Sequence, residues 1–311
     1  MTSIPMSPSG PGDFHKAVGP TIEVVRNLAE AVLAVDARHG HLPGPTSKAM
    51  AERAEEPKFA GKTTWDAPVH DAHTMGGFTL TAAADYAHAF ADLFAVGNRV
   101  PVYAHLVLAR SVLETAVVSA WLNEEAVTTE ERIKRGLAEL LYSALELKRL
   151  DMKDDDPATR IGLWKAVATG LGWPATKDKN GKPVVDAARR PSVPAGINEL
   201  LRAGKEQELG GALWSFQSAV SHGTWYGLKS AVVEPPGKPD LAGRSLAGVG
   251  TESRSVLTHA VCVSSALRRA AKIRYQLMGW DDAEWRAVDA ATERYEARLT
   301  SSNKLRPMRL R

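Results

Sequence analysis

Apolar residues recur at helical spacing along most of the chain. The first series follows Thr21 and stops before Gly40, with apolar positions at Ile22, Val25, Leu28, Val32 and Val35. Similar patterns predict helices over about 79–96, 103–123, 128–150, 156–171, 195–203, 207–232, 251–278 and 281–299. The sequence therefore predicts an all-α fold, a bundle of about eight helices.

The stretch 103–123 predicts the central helix because it is apolar on nearly every side. Arg110 and Glu114 interrupt it, and both fall on the helical stripe that also carries Val107 and Trp121. We expect the two charges to be buried together, since a desolvated ion needs a partner of opposite charge. They could line a polar pocket, or they could only fix the register of the helices.

Two segments interrupt the helical pattern. Residues 41–77 contain several prolines and predict an irregular connection, with one helical turn near 47–55. Asn180-Gly181 predicts a small β-hairpin near 174–186, inside a hairpin and loop insertion at 174–194. One helical domain is thus predicted over 16–300, between a disordered segment at 1–15 and a basic tail at 301–311.

Composition limits the class of protein. Apolar residues make up 44% of the 311 positions, enough for a large core, and the net charge of +3 gives no general attraction to nucleic acid. Basic residues exceed acidic ones from Arg268 onward, so that end could attract a polyanion. One cysteine, no secretory leader and no uninterrupted membrane span predict a cytoplasmic protein without a membrane contact.

The segment 213–228 concentrates candidate chemistry. It places Ser218 and His222 among aromatic residues that include Trp225, and Gly223 within a helical pattern suggests a close approach by a neighbour. Together with Arg110 and Glu114, these residues would form a ligand-binding pocket in which Arg110 holds an anionic group. No P-loop, dinucleotide fingerprint or nucleophile elbow occurs, so we expect no cofactor.

A metal-dependent enzyme is an alternative. Asp85 and His88 are one helical turn apart, and carboxylate and imidazole groups at that spacing suit zinc or iron. The Glu-x-x-His motif of helical di-metal proteins does not occur. A solvent-facing helix surface explains the same residues without a metal.

Several motifs in the middle of the chain carry a resemblance. They are Arg-x-x-x-Glu with a later tryptophan (Arg110, Glu114, Trp121), the arginines of the next helix (Arg132, Arg135), Pro-Ser-x-Pro (191–194) and Ser-x-x-x-His-Gly (218–223). In these motifs, over about 103–228, the chain resembles uncharacterised helical proteins of actinobacteria and, more distantly, HEPN-like helical domains. Some HEPN-like proteins are RNA-cleaving toxins or defence proteins, so the resemblance implies an RNA-directed stress or defence function.

The resemblance also implies a catalytic pair. HEPN ribonucleases use an arginine followed by a polar residue, with a histidine four to six residues after the arginine. Arg254, Ser255 and His259 fit this form, and Arg99 with His105 fits the spacing only. Matches of this kind also arise by chance in a chain of this composition. The resemblance makes Arg254 and His259, with His222, the candidate catalytic residues, RNA the candidate partner, and a homodimer the expected assembly.

Overall fold

The computed structural model describes residues 11–95, 101–149, 156–201, 209–229, 232–233, 248–249 and 252–301. Within these ranges the chain is mostly helical. The helices are α1 Pro11–His39, α2 Lys48–Arg53, α3 Pro68–Asp92, α4 Ala104–Leu122, α5 Thr129–Arg149, α6 Pro157–Gly170, α7 Val193–Leu200, α8 Leu209–Ser221, α9 Trp225–Lys229, α10 Ser253–Met278 and α11 Ala283–Ser301. The predicted all-α class is confirmed, and residues 1–10 and 302–311 lie outside the described ranges.

The central helix is α4, as its composition predicts. It packs against α3 and α10, and α7 and α8 cover the rest of it, while α1 lies across α3 and α10. The main core is built from buried aliphatic and aromatic side chains of these helices, for example Val112, Leu113, Phe90 and Leu267. An apolar helix enclosed in this way removes most of its side chains from water, which is the main stabilising contribution to such a fold.

A second, smaller core joins α5 and α6 to the strands. It contains Ile133 and Leu137 of α5, Val167 of α6, and two tryptophans, Trp65 and Trp173. The amphipathic α5 also packs against α3, which contributes Val69 to this second core.

The predicted hairpin is confirmed. Strands β1 Ala175–Lys177 and β2 Pro183–Val185 pair antiparallel, and Gly181 in the turn has φ +77°. The Asp178 carboxylate accepts hydrogen bonds from the backbone N–H groups of Asn180 and Lys182. A third strand, β3 Ala188–Arg189, pairs with β2, and a two-stranded pair joins β4 Val232–Val233 to β5 Gly248–Val249. The sequence pattern did not predict these additional strands.

The prediction of about eight helices is too low for two reasons. The helical turn predicted near 47–55 is a separate short helix, α2. The single helix predicted over 207–232 is divided into α8 and α9, because the chain turns at Gly223, which has φ +63°. Two helices also begin earlier than predicted. Helix α3 begins at Pro68, where an irregular chain was predicted as far as residue 77, and α1 begins at Pro11, within the segment 1–15 that was predicted to be disordered.

One described helix, α4, is long and apolar enough to cross a bilayer, and 56% of its most apolar 18-residue stretch is buried inside the protein. A core helix enclosed by other helices has the same length and composition.

Candidate functional site

Arg110 and Glu114 form the predicted ion pair on α4. Arg110 Nε donates to Glu114 Oε1 at 2.7 Å. Their side chains are 18% and 30% exposed, so the pair lies at the edge of the bundle. The prediction that both charges are buried in the dry interior is therefore wrong. The stripe that carries them faces the gap between α4 and α8, where solvent still reaches it.

Helix α8 supplies two partners to this pair. Trp214 Nε1 donates to Glu114 Oε1 at 2.7 Å, and the Arg110 guanidinium lies 5.4 Å from the centre of the Trp214 ring. Arg110 Nη1 donates to Ser221 Oγ, whose own hydroxyl donates to the carbonyl of Ser218. We call Arg110, Glu114, Trp214 and Ser221 the α4–α8 polar cluster.

The other residues predicted to line the pocket, Ser218, His222 and Trp225, are within four residues of Ser221 in the sequence. Ser218 is half-buried and contributes its carbonyl, so the hydroxyl that meets Arg110 comes from Ser221, one turn later. His222 is exposed at the end of α8, and Trp225 is 74% exposed at the start of α9. The Tyr103 hydroxyl donates to the carbonyl of Leu228 at 2.9 Å and ties α9 to the start of α4. The site is thus an open surface and not an enclosed pocket.

The candidate catalytic pair Arg254 and His259 is not brought into one exposed site. Arg254 is exposed, whereas His259 is 2% exposed and donates from Nδ1 to the Ser255 carbonyl at 2.7 Å. Five residues on a helix separate two side chains by more than a quarter turn, which explains why they diverge. His222 lies in the turn after α8, and Arg99 is outside the described residues.

The alternative metal residues are also on the surface. His88 Nδ1 lies 3.2 Å from Asp92 and Nε2 lies 3.6 Å from Glu30, while Asp85 is exposed. Among the described residues no group of three or more His, Cys, Asp or Glu side chains is arranged to hold a metal ion.

The fully buried ions are a group that the sequence did not reveal. Arg132 of α5 is 0% exposed and meets Glu52 of α2 with two hydrogen bonds, Nε to Oε2 at 2.6 Å and Nη2 to Oε1 at 3.1 Å. Its other donors reach the carbonyls of Leu122 at 2.6 Å and Glu124 at 2.9 Å, at and just beyond the end of α4. His73 completes the group, with Nε2 2.7 Å from Glu52 Oε2. Arg132 therefore caps the central helix.

Hydrogen bonds set the protonation of this group. Burial raises the pKa of Glu52, but the hydrogen bonds from His73 and Arg132 outweigh burial and lower it overall. Burial lowers the pKa of His73 to about 4, against the opposing effect of Glu52. At neutral pH the group holds a carboxylate, a guanidinium and a neutral imidazole that donates to the carboxylate.

Arg274 of α10 extends the buried polar region. It is 0% exposed, and Nη1 donates to the His73 carbonyl and to Asn123 Oδ1, both at 3.1 Å. Asn123 in turn donates to the carbonyl of Gly76 at 3.0 Å. Every polar partner here is another buried protein group, so this region has the features of a structural network.

The open surface around Arg110 is the candidate site on its geometry alone. No known family model, no curated protein and no solved structure matches this chain.

Proposed function

We propose that the protein binds a small molecule that carries an anionic group, and that Arg110 receives this group. The supporting observation is the orientation of Arg110, which Glu114, Trp214 and Ser221 hold while 18% of its side chain stays exposed. A guanidinium has five N–H donors, and Nη2 of Arg110 has no hydrogen-bond partner among the described residues. A guanidinium held in one orientation can donate its free N–H groups to the oxygens of a carboxylate or a phosphate.

Glu114 shapes what the site can accept. Its carboxylate offsets part of the Arg110 charge, so an anion alone should bind weakly. Trp225 presents an exposed ring only four residues after Ser221, and such a ring favours contact with a planar or apolar group. We therefore expect a ligand that combines one anionic group with an aromatic or apolar part.

Thermal shift measurements test this proposal with inorganic phosphate, benzoate and adenosine monophosphate as probes. A ligand present at 100 times its dissociation constant stabilises the folded state by about 2.7 kcal/mol, which raises Tm measurably. The shift should disappear in Arg110→Ala. It should persist in the control Arg26→Ala, which removes a similarly exposed arginine paired with Asp92 on another face. No shift with any probe, or an equal shift in Arg110→Ala, contradicts the proposal.

An RNA-directed role is our second proposal, and the exposed Trp225 supports it. Stacking of a base on such a ring contributes about 1–3 kcal/mol. Fluorescence anisotropy with single-stranded RNA should then show binding that weakens at least about fivefold in Trp225→Ala. The matched control is Trp164→Ala in α6, which is half-buried against Trp65. Equal RNA affinity in wild type and Trp225→Ala would remove this proposal.

A further inference from the structure

Two buried histidines lie against each other where α4 and α10 begin. The ring centroids of His105 and His259 are 5.8 Å apart. The two residues are 1% and 2% exposed. Three aromatic rings, those of Phe90, Phe94 and Phe216, lie within 6.5 Å of one imidazole or the other. The imidazoles therefore share an apolar enclosure away from bulk water.

Both imidazoles are neutral at physiological pH. Burial lowers the pKa of His105 to about 3, and the neighbouring His259 lowers it as well, while the backbone of Pro101 acts in the opposite direction. Burial also lowers the pKa of His259 to about 4, against the effect of the Ser255 carbonyl. A neutral imidazole has one N–H donor and one acceptor nitrogen. The pair thus presents two acceptors and no charge.

These acceptors lack protein partners. Since a carbonyl only accepts, the 2.7 Å contact with Ser255 places the proton of His259 on Nδ1 and leaves Nε2 as the acceptor. Nε2 of His259 has no hydrogen-bond partner within the described ranges. The ring nitrogens of His105 make no hydrogen bond of normal geometry there, and the one backbone group that acts on them, that of Pro101, can only accept and so leaves the second nitrogen as an unpaired acceptor. A buried acceptor without a partner costs about 1–3 kcal/mol, and this cost would arise at least twice in one enclosure, once on each imidazole.

Gln217 adds a third polar side chain on the buried side of α8. It follows Phe216, whose ring centroid is 6.4 Å from that of His259, and it is 0% exposed. Neither its amide nitrogen nor its amide oxygen has a hydrogen-bond partner within the described ranges. Gln217 is therefore a further buried polar group without a partner, one residue away from a ring of the enclosure.

We propose that His105 and His259 form an enclosed site for a small uncharged molecule with two N–H or O–H donors, one for each imidazole. A primary amide and a water molecule share this chemistry. A divalent cation is disfavoured because the described residues offer no third His, Cys, Asp or Glu to complete a metal site. Its charge would lie uncompensated among aromatic rings. The site is separate from Arg110 and does not depend on ligand binding there.

Nuclear magnetic resonance of the full chain with 15N-labelled histidine tests the site directly. At pH 7 we expect Nε2 of His259 to show the chemical shift of a hydrogen-bonded acceptor, and the imidazole C–H protons to show cross-relaxation with long-lived water. Acetamide, the amide probe, should replace the water signals with its own if the site admits amides. Persistence of the water signals identifies water as the occupant. The shift of an unbonded nitrogen, without water or acetamide signals, overturns the proposal.

The variant His259→Phe provides a second test, because it keeps an aromatic ring and removes the acceptor. If a bound molecule uses that acceptor, the variant should lose the cross-relaxation signals at His105 and melt at a lower temperature. If the acceptor has no partner, its removal raises Tm, and this result also overturns the proposal. The control His70→Phe changes an exposed histidine and should alter neither signal.

Discussion

At the scale of single residues, Gly76 and Gly77 allow two polar side chains to reach the backbone of α3. A Cβ atom at Gly76 would lie 2.5 Å from Asn123 Oδ1, and one at Gly77 would lie 2.6 Å from Arg274 Nη2. Glycine is usually unfavourable inside a helix. Here it is required, because any side chain would displace buried hydrogen-bonding groups that have few other partners.

Gly77→Ala should therefore destabilise the protein, although alanine is the better helix former. We expect a net loss of about 1–3 kcal/mol in the free energy of unfolding, the usual cost of overpacking. Urea unfolding followed by circular dichroism measures it. Gly211→Ala in α8 is the matched control, since a Cβ atom there would meet no other atom within 4 Å and the variant should gain up to about 1 kcal/mol. Equal stability of Gly77→Ala and wild type would contradict this interpretation.

At the scale of elements, α3 begins where a distant carboxylate caps it. Glu56 accepts from the backbone N–H of Val69 at 3.0 Å and from that of His70 at 2.9 Å. Pro68 occupies the first turn, where its missing N–H has no consequence. The cap comes from the short 3-10 helix Glu56–Lys58, well ahead of α3 in the chain.

Glu56→Ala should loosen the first turn of α3 without unfolding the rest. Loss of a cap costs about 0.5–2 kcal/mol, so the amides of Val69 and His70 should exchange with deuterium roughly 2–30 times faster. Hydrogen exchange measured by nuclear magnetic resonance reports this rate. The control is Glu55→Ala, which changes the residue next to Glu56 and removes only an ion pair between Glu55 and Lys58. Both amides should stay protected in this variant. Unchanged exchange in Glu56→Ala would show that the cap contributes nothing.

The sequence predicted features that depend on neighbouring residues, and it did not predict contacts between residues far apart in the chain. The hairpin was predicted from the local pair Asn180-Gly181 and the central helix from its own composition, and the structure contains both. The cap of α3 and the pair Glu52–Arg132 join residues far apart in the chain, 80 positions in the second case. No local pattern carries that information. In the candidate site, the pairing of Arg110 with Glu114 followed from helical spacing, while the contribution of Trp214 and Ser221 needed the arrangement of α8 against α4.

At the scale of the whole molecule, three buried neutral histidines make stability depend on pH. Burial lowers the pKa of His73 and His259 to about 4 and that of His105 to about 3, below the ordinary value of 6.5. The unfolded chain therefore binds protons first as the pH falls. Stability is complete above about pH 6.5 and is lost as the pH falls towards 4. Glu52 adds a loss in the same direction below its ordinary pKa of 4.5.

Urea unfolding at pH 7, 6 and 5 should show this loss. Each histidine contributes up to about 1.4 kcal/mol per pH unit between its two pKa values. His105→Phe should flatten the profile, and His70→Phe, which changes an exposed residue, should leave it as steep as in wild type. A free energy of unfolding that does not change between pH 7 and pH 5 would contradict the neutral state of the buried histidines.

Arg274 has a consequence for how the chain is made. Its guanidinium meets the carbonyl of His73 and the side chain of Asn123, 201 and 151 positions earlier in the sequence. During synthesis, α3 and α4 leave the ribosome long before α10 does, and the polar groups at their junction remain hydrated until then. The junction of α3 and α4 can therefore reach its final hydrogen bonding only late in translation, once α10 has been made.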